Sequence, residues 1–290
     1  RGRRQPPGLG RPLVGRRPVV LTIHDLQYLS LPGYFSAARR HYLERIVPRS
    51  VRDAAVVAVP SEFVRASVVD AFGADPGRVV VVPHGIPHHA LPDPDAIAEA
   101  RARWGVADRP YVLYPAISHP HKHHEVLVGM LDHLDDGTAL VLVGGTGRGE
   151  TGLVTAIGRS RARDRVVRTG RVSHADRDAL LAGADALVFP SEYEGFGAPL
   201  VEAMALGVPV VAFGHPAIRE VVGDAGVIVE TSSGDPSVGE AWAEAVVEAR
   251  RRRRELIGRG RERRTLFTTA TSGAALDDAY RLAIEIGATP

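Results

Sequence analysis

No cysteine occurs among the 290 residues, which excludes disulfides, thiolate metal sites and thiol catalysis together. Lysine is nearly absent too: of 36 Lys and Arg residues only Lys122 is lysine, which draws attention to the loop that carries it. Long apolar runs are missing, with no window approaching 18 consecutive apolar residues, so no membrane-spanning helix is expected. The opening residues are Arg, Gly and Pro without the apolar stretch of a secretory signal, and a cytoplasmic location, extending to the inner face of a membrane, is expected. A net charge of +2 is too small to argue for nucleic acid as a partner. What is present, 44% apolar and 24% charged residues, describes an ordinary globular chain with room for two modest α/β domains.

The pattern sharpens from Pro110 onward. Short apolar runs at 111–114, 139–143, 166–169, 186–189, 208–213 and 227–229 read as buried strands. Between them, 124–134, 151–161, 175–184, 199–206 and 217–222 have helical spacing. Such alternation marks an open, parallel, doubly wound sheet, whose ligands sit beyond the carboxyl ends of the strands. The first third repeats the habit on a smaller scale, with strands at 19–23, 54–59 and 78–82 and helices at 37–52 and 62–72, the latter capped by Ser61. Residues 1–17 are Arg/Gly/Pro-rich and read as a disordered or linker segment, 18–86 as a partial first domain, 87–109 as a linker with a short helix, and 110–262 as a second domain. An amphipathic helix over 237–257 and a last helix near 272–286 follow; 263–290 is expected to pack back toward the first domain.

The sharpest motif is Ser191-Glu192-Tyr193-Glu194-Gly195-Phe196-Gly197-Ala198-Pro199-Leu200-Val201-Glu202, which follows a buried strand and opens a helix. Gly195 and Gly197 allow close backbone approach, and Pro199 suits a first helical turn. The helix start then offers N–H donors to an anion such as diphosphate, while Glu194 and Glu202, the latter expected in the first turn, can accept from sugar or ribose hydroxyls. A loop with two solvated acids is the plainer alternative. The stretch 182–211, with GADALVFPSEYEGFGAPLVEAMALGVPVV from Gly183 onward, resembles the donor-site segment of the retaining group-1 glycosyltransferases of family 4 type. That resemblance extends from about Pro18 to Leu282. It implies a GT-B fold: two Rossmann-like doubly wound domains facing across a cleft, the first incomplete here, as in an N-terminally truncated chain. It further implies transfer of a hexose from a nucleotide diphosphate sugar without an essential metal or other cofactor. Glu194 would lie at the transferred sugar, Gly195, Phe196 and Gly197 along sugar and phosphates, and Glu202 at the ribose.

Other loops at strand ends join this reading. Residues 114–124, YPAISHPHKHH, place Lys122 where a cation can neutralise diphosphate; the arginine that the family usually adds is replaced by Ala116 or Ile117, and His119, His121 or His123 could supply part of its role. The alternating histidines also raise a metal site, but Pro120 interrupts them. No Asp-x-Asp metal motif stands at a strand end, since Asp93-Pro94-Asp95 falls in the linker. His24-Asp25 ends the first strand, and by resemblance His24 contacts donor sugar or acceptor; a histidine bonded to its own turn is the alternative. Val79–Pro87, VVVVPHGIP, resembles the entry to the family's linker with His84 for a commoner Asn, and Gly85 reads as conformational. Gly144 and Gly145 lie near the donor by resemblance, and Arg171 and Val172 near its base. The basic run 250–264 reads first as a solvated helix face and second as a peripheral membrane contact suited to a lipid-linked or glycan acceptor. A nucleotide-sugar-binding fragment without catalysis and a related epimerase are the competing readings, and the Lys122 loop leans the donor toward GDP-mannose.

Overall fold

The computed structural model describes residues 17–87, 90–135 and 137–288; most of the Arg/Gly/Pro-rich 1–17 segment lies outside them. In chain order come β1 (Val20–Thr22), α1 (Gln27–Ser30), α2 (Ala37–Asp53), β2 (Val56–Val59), α3 (Glu62–Phe72), β3 (Val79–Val81) and α4 (Pro94–Arg103). Strands and helices then alternate strictly: β4 (Tyr111–Pro115), α5 (His124–Met130), β5 (Ala139–Val143), α6 (Glu150–Arg159), β6 (Val166–Gly170), α7 (His174–Ala182), β7 (Ala186–Phe189), α8 (Ala198–Ala205), β8 (Val210–Phe213), α9 (Pro216–Val222) and β9 (Gly226–Val229). Three helices close the chain, α10 (Val238–Arg251), α11 (Arg253–Arg263) and α12 (Thr269–Ala288). The described residues divide into two compact units, one within 17–85, 194–196 and 267–288, the other within 86–193 and 197–266.

The first unit is built on a parallel sheet in the order β1-β2-β3. Successive side chains of a strand point to opposite faces, so a central strand covered on both sides must be apolar throughout. β2 obeys this. Val57 and Val59 pack with Val64 and Val68 of α3, whereas Val56 packs with Ala279 and Ala283 of α12. The small alanines, four apart on one helix face, let α12 lie close to the sheet. Gly85 serves the same approach: it has no positive φ, and a Cβ there would stand 2.8 Å from the Thr269 Cα. Its glycine is therefore required by crowding rather than by a special backbone angle. Ser61 caps α3 by accepting from Val64 N at 3.3 Å.

The second unit holds a parallel sheet in the order β6-β5-β4-β7-β8-β9. β5 and β7 are buried at every position, as helices on both faces demand. The chain runs outward from β4 through β5 to β6, then returns to the other side of β4 with β7, which makes the β4–β7 boundary the switch point of the sheet. The fold is thus α/β with parallel sheets, as the alternation implies. Residues 87–109, read as a linker, group with this unit because α4 packs on α7. The helix expected over 237–257 is two, α10 and α11, broken at Arg252.

Much of the basic run is turned inward rather than solvated. Arg250 reaches Asp185, Asp135 and the Thr138 hydroxyl, Arg253 bonds the Asp185 carbonyl at 2.8 Å, and Arg263 bonds the carbonyls of Val221 and Glu220. Arg251, Arg252 and Arg259 are matched by Glu248 and Glu255. Guanidinium forks suit this work because one side chain can satisfy several acceptors at once.

Candidate functional site

Loops after β4, β5, β6 and β7 gather at the carboxyl edge of the second unit's sheet. Ser118 knots the first two of them. Its N–H donates to the Gly145 carbonyl (3.3 Å), its carbonyl accepts from Gly149 N (2.7 Å), and its hydroxyl accepts from Gly147 N (2.8 Å) and donates to Glu150 (2.7 Å). Such closeness is why the β5 loop is glycine-rich. A Cβ on Gly144, where φ is +152°, would collide with the Ala116 carbonyl, and one on Gly145 would stand 2.9 Å from Arg171 Nε. Gly144, Gly145 and Arg171 are therefore brought together; Val172 is half-buried just ahead of α7. The β7 loop is tied in by the Glu192 N–H, which donates to the His121 carbonyl at 3.0 Å.

Lys122 lies in a 3₁₀ turn, Pro120–Lys122, and its Nζ sits 5.7 Å from the centroid of the buried Phe189 ring at the end of β7. Gly197 lies near the same ring: a Cβ added there would meet Phe189 Cε1 at ordinary contact, 3.7 Å, but would be 2.7 Å from Leu200 Cδ1. The ammonium and the start of α8 thus both lie close to the Phe189 ring. Gly197 has φ +87° and precedes the helix as its N-cap. Pro199 has no N–H and that of Leu200 donates to Gly197 O at 3.0 Å, so this end offers fewer amide donors than the four of an ordinary helix start. Glu202 is the fifth residue of α8, one position past the first turn where it was expected, and its carboxylate pairs with Arg177 of α7 at 3.5 Å. Arg177 has no motif around it and the sequence does not single it out.

The histidines beside Lys122 diverge. Burial pushes the His121 imidazole down to about 3, aided by Lys122 and His119, and burial takes His124 to about 4 although the Ala116 carbonyl pulls the other way. His123 goes up: burial opposes its charge, but bonds to Glu125 and Glu192 outweigh that. His119 and His121 stack at 5.9 Å, while His123 turns to the two glutamates. Among the described residues no group of three or more His, Asp or Glu is arranged to hold a metal ion. At the N-cap of α9, His215 accepts from Ala217 N through Nδ1, and burial holds it near 4. A buried neutral histidine takes up protons when the chain unfolds, so His121, His124 and His215 stabilise the fold above about pH 6.5 and cease to as pH falls toward 4. The melting temperature is expected to fall by several degrees between pH 7 and pH 5, with the decline shallower in His215→Asn; an unchanged slope would contradict the burial argument.

The first unit holds its own cluster. His24, at the end of β1, stacks on His84 with centroids 5.3 Å apart; His84 meets Phe196 edge-on at 5.1 Å, and Phe196 meets Phe267 at 5.3 Å. Burial, then the neighbouring His24, lowers the His84 pKa. Gly195 fits only as glycine because a Cβ would run into the His24 carbonyl oxygen, and its own carbonyl accepts from the Ser61 hydroxyl at 2.7 Å. His24, Gly195 and Phe196 are therefore brought together, with His84 as the member that sequence reading left out of the site. Glu194 is half-buried beside them in the chain and groups with this unit rather than with Glu202.

The family model for glycosyl transferases group 1 matches residues 97–263, and that for glycosyltransferase family 4 matches 5–90. The chain belongs to the group-1 glycosyltransferases. Relatives of this family member include O-antigen chain mannosyltransferase B of Escherichia coli, 29% identical over 74% of this chain and 58% of the relative. D-inositol 3-phosphate glycosyltransferase of Xylanimonas cellulosilytica is 33% identical over 82% of this chain and 58% of the relative. GDP-mannose-dependent alpha-(1-6)-phosphatidylinositol monomannoside mannosyltransferase of Mycolicibacterium smegmatis is 30% identical over 79% and 62%. The chain thus spans about three fifths of the length of these relatives. Among solved structures, the Anabaena protein Alr3699/HepE in complex with UDP and glucose superposes with a TM-score of 0.77 at 23% identity, covering 92% of this chain and 72% of that one. Sucrose-phosphate synthase of Thermosynechococcus elongatus gives 0.75 at 25% identity, covering 90% and 67%. These neighbours are GT-B glycosyltransferases, and the fold is of that kind. Among the described residues no helix is long and apolar enough to cross a membrane.

Proposed function

We propose that this group-1 family member moves a hexose, by preference mannose, from a nucleoside diphosphate sugar to a hydroxyl of a glycan or lipid-linked acceptor, with retention and without an essential metal. The observation that carries the reading is the nearness of Lys122 Nζ and the start of α8 to the same Phe189 ring at the switch point of the sheet. An ammonium and a helix start directed to one place offer positive charge to a diphosphate, the group on which negative charge grows as it leaves. In that role they take the part a divalent ion plays elsewhere. The sugar C1–O bond to phosphate breaks, the acceptor oxygen bonds C1 on the same face, and the acceptor proton passes to the departing phosphate oxygen. Glu202, steadied by Arg177, is assigned to the ribose, Arg171 and Val172 to the base, and Glu194 and His24 to the transferred sugar. GDP-mannose is favoured as donor by the mannosyltransferases among the relatives.

Incubation with GDP-mannose and octyl α-mannoside tests this reading. The expected product is an α-mannoside by proton NMR, formed at the same rate with excess EDTA. A β-linked product, or loss of turnover on chelation, would overturn the retaining, metal-independent assignment.

A further inference from the structure

His123 is, among the described non-glycine residues, the one with a left-handed backbone, at φ +44°. That conformation costs on the order of 1–2 kcal/mol for an ordinary side chain, and such outliers persist where something nearby holds them. The residue stands at the N-cap of α5, yet its side chain makes no cap bond there. Instead Nε2 lies 2.9 Å from Glu192 Oε2 and Nδ1 lies 3.4 Å from Glu125 Oε1. His123 and Glu192 share the wall of a cavity of about 250 Å³ with Pro190, Phe213 and Trp242. An ion pair beside apolar walls is screened less than one on an open surface. Together with the backbone bond from Glu192 N to His121 O, it makes a second link between the loop that carries Lys122 and the loop that leads to α8.

We infer that His123, as its imidazolium paired with Glu192, is a positioning residue that latches the β7–α8 loop onto the Lys122 loop and so strengthens donor binding at low pH. The inference rests on the donor-site reading above. The charged or titratable groups around it are Glu192 from the β7 loop, Glu125 from α5, and Lys122, His121, His119 and His124 from its own stretch of chain. The remaining cavity walls, from β8, residues 231–233 and α10, carry only uncharged side chains. Because pairing raises the folded pKa, the latch is complete below the ordinary histidine value near 6.5 and is lost as pH rises through the folded value. A diphosphate diester stays fully ionised throughout this window, so the pH dependence belongs to the protein.

The test combines an imidazole NMR titration with calorimetric binding of GDP-mannose and UDP-glucose at pH 5.5 and pH 8.0. It uses the wild-type chain, Glu192→Gln and His123→Asn, the last because asparagine accepts the left-handed backbone. Expected are a His123 pKa above 6.5 that falls in Glu192→Gln, and a donor affinity roughly fivefold weaker at pH 8.0 in the wild type only. A purely structural His123 would leave the pH profile of binding the same in all three proteins, and that result overturns the inference. So would a His123 that titrates at or below 6.5, or one indifferent to Glu192→Gln. If His123 titrates as expected but neither nucleotide sugar binds at either pH, the donor reading itself fails and the latch's role in it fails with it.

Discussion

Replacing Lys122 by alanine is expected to lower turnover by about 10²- to 10³-fold, the scale seen when one preorganised charge stabiliser is removed from a reacting oxygen. The substitution should do little to stability, because the side chain is half-buried at a strand end rather than packed into the core. The ammonium is poised over Phe189, within the loop that Ser118 and Glu192 hold in place, so its position is set before any ligand arrives. Charge alone should not suffice. Lys122→Arg keeps the cation but puts a planar fork where the ring accommodates a compact ammonium, and is expected to recover only part of the activity. Turnover numbers with melting curves check this. A Lys122→Ala chain that turns over normally would remove the residue from the reaction.

A second large effect is expected at Gly195. Its alanine variant would place a methyl group against the backbone carbonyl of His24, which cannot rotate away as a side chain could. The Gly195 carbonyl is held in turn by the buried Ser61 hydroxyl, so the loop has little freedom to retreat. Overpacking of this kind costs about 1–3 kcal/mol or more, and a fall of several degrees in the melting temperature is expected, together with loss of donor turnover. Gly258→Ala is the matched control. It sits in α11 with nothing within 4 Å of its Cβ, and should gain about 0.5–1 kcal/mol from helix propensity. Equal melting temperatures for the two variants would contradict the packing described around His24.

The second unit was legible in detail because its signals are local and strong. Apolar runs such as 139–143 and 186–189 match β5 and β7 residue for residue, and the Gly-Phe-Gly-x-Pro frame falls between a strand and a helix. Boundaries failed where two helices share one apolar period, as at Arg252, and where a cap shifts by one residue, as at α8. Partners distant in sequence were not legible. Arg177 meets Glu202 only because α7 and α8 flank the same strand, and Ser118 looks like any serine until the β5 loop folds onto it. The basic run misled in another way: composition shows arginines and glutamates interleaved, but not that Arg250 and Arg253 point at Asp185 beside β7 and Arg263 at the last carbonyls of α9. The Gly85 requirement comes from α12, nearly two hundred positions away, and no local pattern carries it.

The central claim is that the loops after β4, β5, β6 and β7 form a nucleoside diphosphate sugar site. Its most direct test is calorimetric titration of the chain, without metal, against GDP-mannose, UDP-glucose and a dTDP-sugar. Saturable one-to-one binding of one donor, abolished in Glu202→Ala while the melting temperature holds, is the predicted result. Binding left intact in Glu202→Ala, or no heat with any of the three donors in the well-folded chain, would contradict the claim.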